Sequence, residues 1–181
     1  MAYKVLNNVQ LKDATGVSSL TTDMLVLVIN KNTKNDSSFM ELNKKSKNYL
    51  SKTIKSHVDQ TGSSILLPKI DGINAKHILL VKGLDKDAPT HKWLSLYQSI
   101  AQKGNQNKCK DISVMPGTVS PKGKDELWLI EMVSKTIESN VYIFSETKNK
   151  TSKKPSVKKL TILTTGLTAV SYTHLTLPTI P

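Results

Sequence analysis

Two kinds of hydrophobic pattern alternate along the chain. Short unbroken apolar runs bounded by turn residues read as buried strands, and longer stretches with apolar positions every three to four residues read as helices. The clearest strand is residues 24–29, Met-Leu-Val-Leu-Val-Ile, uninterrupted and β-branched, ending in the turn Asn30-Lys31-Asn32. It reads as a central strand of a sheet covered on both faces. Runs at residues 65–67 and 78–81 frame Pro68, Asp71, Gly72 and Asn74, and predict two more buried strands. Residues 3–6, 110–115 and 158–164 add shorter strands; the first leads into a polar connection, and the second is stopped by Pro116-Gly117.

Helices are expected between these strands. Ser37 or Ser38 would cap one that carries Phe39 and Leu42, with Tyr49, Leu50 and Ile54 on its continuation or on a second helix. Leu50 and Ile54 point inward there, while Lys44, Lys45, Lys47, Lys52 and Lys55 form a solvated face. Asp87 or Thr90 would cap the next helix, with Pro89 in its first turn and Gly104 just past its end. Trp93, Tyr97, Ile100 and Ala101 share one face, widened by Leu94 and Leu96, which makes the aromatics core rather than a base-stacking platform. A third helix begins at Asp125 and lines up Leu127, Ile130, Val133, Ile137, Val141 and Phe144. Strand, glycine-containing turn and capped helix in succession define an α/β fold. Residues 147–156 form a polar loop before the last strand.

Ile65-Leu66-Leu67-Pro68, and Lys76-His77-Ile78-Leu79-Leu80-Val81 leading to Lys82-Gly83-Leu84-Asp85-Lys86, resemble the N-terminal domain of the leucyl aminopeptidase family. Tyr142 and Phe144 followed by Lys148 are similar to that domain's exit from its last helix. The pattern departs from the family's at Lys82, which precedes Gly83, and at Asp85, where a second glycine is usual. The resemblance covers roughly residues 20–167. It implies a mixed, largely parallel sheet with helices on both faces, similar to a macro domain. It also implies a cytosolic parent enzyme that removes N-terminal residues from peptides with two divalent metals, manganese or zinc, and assembles as a hexamer.

Composition changes this picture little. A chain of 181 residues with a mean hydropathy of −0.29 has room for one core and carries no apolar run of membrane-spanning length. Cys109 is the single cysteine, which excludes an intramolecular disulfide and suits a reducing cytoplasm. The net charge of +12 invites a nucleic-acid partner, yet all 26 basic residues are lysine. Without arginine the bidentate contacts to guanine and phosphate are missing. A stand-alone basic module for nucleic acid or an ADP-ribosyl ligand is the competing class.

Candidate chemistry is sparse. The family's signature Asn-Thr-Asp-Ala-Glu-Gly-Arg-Leu, which supplies metal ligands in its catalytic domain, does not occur, and no residue matches a catalytic or metal-binding position. No catalytic, cofactor-binding or metal-binding residue is therefore assigned. His57, His77 and His91 lack ligand spacing, Asp85/Asp87 and Asp125/Glu126 read as turn and helix-start charges, and Cys109 reads as an inert small residue. Lys82-Gly83 after a strand is a bare hint of a phosphate loop. Residues 170–179 match the translation of a transposon-type sequencing adapter, so His174 receives no weight. The expected organisation is residues 1–168 as the N-terminal domain and 169–181 as a non-native tail, with the catalytic domain absent.

Overall fold

The computed structural model describes residues 8–59, 63–141 and 156–164. Six strands form one sheet: β1 (Asn8–Asp13), β2 (Met24–Ile29), β3 (Ile65–Pro68), β4 (His77–Lys82), β5 (Asp111–Met115) and β6 (Lys159–Thr164), in the order β1-β6-β5-β2-β4-β3. All neighbours are parallel except β3, which runs antiparallel to β4. The helices are α1 (Ser37–Lys45), α2 (Tyr49–Thr53) with a wider π turn over Ile54–Val58, α3 (Thr90–Gln106) and α4 (Glu126–Val141).

The register explains the continuous apolar runs. Val26 lies opposite Leu79 on one side and Val114 on the other, so Met24 to Leu27 are flanked by strands on both sides, and Val28 and Ile29 by β4. Met24, Val26 and Val28 point to one face, where Trp93, Tyr97 and Ile100 of α3 and Leu129, Ile130 and Val133 of α4 pack on them. Leu25, Leu27 and Ile29 point to the other, against Phe39 and Leu42 of α1 and Leu50, Ile54 and Val58 beyond it. Every residue of β2 is buried. The expected mixed, largely parallel sheet with helices on both faces is what the chain forms.

Several local expectations are corrected. The first described strand is Asn8–Asp13, inside the stretch read as a polar connection, and residues 3–6 lie outside the described residues. Its parallel pairing to β6 compensates for its modest apolar content. The run at 65–67 is an edge strand, and Ile65 and Leu66 stay half-buried because β4 alone flanks them. Asp36 rather than a serine caps α1, its Oδ1 accepting the N–H groups of Ser38 and Phe39 at 2.9 and 3.1 Å. A carboxylate there also complements the positive helix end. Pro89 is the residue flanking α3, which lacks a side-chain cap. Gly104 does not end α3 but sits buried within it, where a methyl group would collide with Ile112; left-handed backbone falls instead at Lys108. Leu127 is 38% exposed and off the packed stripe, whereas Leu129 and Met132 are buried. Tyr142, Phe144, Lys148, the loop at 147–155 and the tail lie outside the described residues.

No helix among the described residues is long and apolar enough to cross a membrane.

Candidate functional site

In an open α/β sheet the place for a ligand is the crevice beyond the carboxyl ends of the parallel strands. Here Ala14 follows β1, Val28 is the penultimate residue of β2, Pro116 and Gly117 follow β5, and Thr164 ends β6; all line one cavity with Thr33, Asp36, Phe39 and Glu126. Its volume is about 40 Å³. That is room for a few waters, since one needs roughly 10–15 Å³, and far below the roughly 300 Å³ of a small-molecule pocket. Phe39 and Met115 are among the bulkiest side chains in its lining. The carboxyl of Glu126 is pushed up by partial burial, and that of Asp36 is committed to capping α1.

Asn30 organises the rim of this crevice. Its Nδ2 donates to the Leu84 carbonyl at 3.1 Å, and its backbone N–H donates to Thr33 Oγ1 at 2.7 Å. The amide is clamped between Gly83 and Gly117, since a methyl on either glycine would run into it. Gly83 N–H donates to Ile29 O at 2.8 Å and continues the ladder. The Lys82-Gly83 step is thus a seat for Asn30, not a phosphate cradle. Asn30 Oδ1 is buried without a hydrogen-bond partner among the described residues. Sequence reasoning passed over Asn30, and its position at the end of the most buried strand was the available signal.

At the opposite, amino ends of the strands, Asp23 ties three chain segments together. It accepts Lys76 Nζ at 2.6 Å and the Lys110 N–H at 2.8 Å, and its carbonyl accepts the His77 N–H at 3.0 Å. Burial pushes this carboxyl up, but the bonds from Lys76 and Lys110 outweigh it and hold it below the usual range. Beside it Ser113 Oγ donates to Thr22 Oγ1 at 3.1 Å. Cys109 lies in the same depression, 2% exposed, with its thiol pushed up by burial. A thiol held protonated is a poor nucleophile, which agrees with its reading as inert.

The remaining residues of interest are not brought together. His77 sits at the start of β4 with Nδ1 3.3 Å from Asp23 O, His91 is exposed in the first turn of α3, and His57 lies in the π turn. Asp87 faces Lys122 at 3.9 Å on the surface, and Asp125 Oδ1 accepts the Trp128 N–H at 2.8 Å as a helix-start group. Trp93 and Tyr97 are fully buried, as packing requires. Among the described residues no three His, Cys, Asp or Glu side chains could hold a metal ion. The described residues do not by themselves fit a two-metal centre.

Sequence comparison adds what the geometry leaves open. Residues 25–151 match the N-terminal domain of the cytosol aminopeptidase family. The chain belongs to this family. The cytosol aminopeptidase of Haemophilus influenzae strain Rd is 25% identical over 134 residues, covering 72% of this chain and 27% of the relative. The chain therefore spans about a quarter of the length of the curated aminopeptidases it matches. A mutant of tomato leucine aminopeptidase superposes with a TM-score of 0.66 at 21% identity, covering 96% of this chain and 35% of the tomato one. A Trypanosoma brucei macrodomain solved in complex with ADP-ribose superposes with a TM-score of 0.65 at 13% identity, covering 94% of this chain and 68% of that one. At such identities these likenesses show the fold, which is macro-domain-like.

Proposed function

We propose that this chain is the non-catalytic N-terminal domain of a metallo-aminopeptidase that removes N-terminal residues from peptides in the cytoplasm. The observation that carries this reading is the match of residues 25–151 to the N-terminal domain of enzymes of which the chain spans 27%. Two divalent metals, manganese or zinc, would activate the attacking water and stabilise the oxyanion in a region the chain does not span. The domain's own contribution would be assembly, as part of a homo-hexamer, and control of access to the active site.

The first test is at the nucleotide level. Extending the reading frame past Thr168 is expected to reach a linker and then Asn-Thr-Asp-Ala-Glu-Gly-Arg-Leu, whereas a native stop within a few codons overturns the reading. The second is enzymatic: the 181-residue chain with manganese is expected to leave leucyl-anilide intact. Turnover by the chain alone would place a catalytic centre within it.

A stand-alone module for an ADP-ribosyl ligand is the alternative, supported by the solved macrodomain complex. The crevice of about 40 Å³ speaks against it. Calorimetric titration with ADP-ribose is expected to give no saturable heat; a saturable isotherm would restore this alternative.

A further inference from the structure

We propose that the α1–α2 hairpin and the β3–β4 loop form a surface for single-stranded nucleic acid, a role separate from the aminopeptidase reading. Between Asn43 and Val58 the sequence holds Lys44, Lys45, Lys47, Lys52 and Lys55 and no acid. All five are exposed, and none is in an ion pair among the described residues. The acids flanking the segment are engaged: Glu41 accepts the Ser18 hydroxyl, and Asp59 faces Lys34 at 3.9 Å.

Exposed lysines alone describe a solvated helix face. Tyr49 is what sets this one apart. It is 47% exposed, while the aromatics Trp93, Tyr97 and Phe39 are buried. It lines an open concavity of about 510 Å³ together with Lys45, Lys47 and Lys69, where Asp71 is the single acid. A second open groove, holding Met40 at 57% exposure with Lys44 and Asn48, shares the same ridge.

The ridge is held in place by the side chain of Asn43 and by close packing at Gly72. Lys47 and Asn48 have φ of 52° and 64°. Asn43 fixes this left-handed turn: its Nδ2 donates to Asn48 Oδ1 at 2.9 Å and its Oδ1 accepts the Ser51 N–H at 3.0 Å. Gly72, at φ 84°, brings the β3–β4 loop against the Lys45 carbonyl, where a Cβ would stand 2.9 Å from the oxygen. The two walls of the concavity are thereby joined.

An exposed aromatic face ringed by cations fits an unpaired base and its adjacent phosphates. A duplex hides its base faces and would use the lysines alone. Lysine meets phosphate as a point charge without reading base edges, so binding would be sequence-tolerant.

The test is fluorescence anisotropy of the whole chain with a labelled oligothymidylate across a salt series. Three phosphate contacts predict a slope of log K against log salt of about −2. Tyr49→Ala is expected to weaken binding about tenfold, and Tyr49→Phe to leave it within about twofold. Reversing Lys45, Lys47 and Lys69 to Glu together is expected to cost about tenfold or more, beyond the loss from the equal charge change Lys86→Glu, Lys92→Glu and Lys124→Glu. Unchanged thermal melting of these surface variants establishes that they fold. No binding at low salt, or equal losses from the two triple reversals, overturns the surface. A duplex bound as tightly as the single strand, with Tyr49→Ala harmless, overturns the assignment of the partner.

Discussion

Asp23 shows how one carboxylate can hold the amino ends of three strands in line. Its folded pKa lies below the unfolded value of roughly 3.9, so its contribution is present above that value and fades as pH falls through the lower, folded one. Asp23→Asn is expected to cost about 1–2 kcal/mol at neutral pH, with the gap to the parent closing in denaturant melts as pH falls through the lowered, folded value. A second residue-scale prediction concerns the Asn30 clamp. Gly83→Ala is expected to destabilise by about 1–3 kcal/mol through overpacking, and Asn30→Ala to recover part of that in the double variant. Neither residue was legible beforehand, because each acts on segments far away in sequence. The cap at Asp36 and the buried Gly104 escaped for the same reason: a serine or a terminal glycine satisfies local rules equally well, and only the contact with Ile112 shows why glycine is needed.

Elements fared better than their ends. The run at residues 24–29 and the face of Trp93, Tyr97, Ile100 and Ala101 were readable because burial on both sides, or on one stripe, leaves a direct imprint on the residues. Trp93→Ala is expected to cost about 3–5 kcal/mol, whereas Leu94→Ala, one position on but 37% exposed, should stay within about 0.5 kcal/mol. Thermal unfolding followed by circular dichroism separates the two. Strand β1 was missed because its six residues, Asn-Val-Gln-Leu-Lys-Asp, carry a half-polar pattern typical of a sheet edge. The edge status of β3 was invisible too, since Ile-Leu-Leu reads the same in the middle of a sheet. The crevice was likewise out of reach, being assembled from the ends of four strands and two helices.

For the molecule as a whole, family membership and fold agree with the reading from short strand matches, and the chain spans about a quarter of the length of its curated relatives. The sheet order has its own consequence. Among the described residues strand β1 pairs with β6 alone, Asn8 lying beside Lys159. Loop closure over nearly the whole domain is needed before that ladder can zip, a large entropic outlay for an edge strand. During synthesis β1 must therefore wait for β6, and a ribosome releasing residues in order leaves β1 without this neighbour until β6 emerges. A chain ended before Lys159 is expected to lose β1 pairing and to uncover one side of β5, giving broad, non-cooperative unfolding in calorimetry. The sheet is thus closed from its far end, and the late-emerging β6 is the strand that licenses β1.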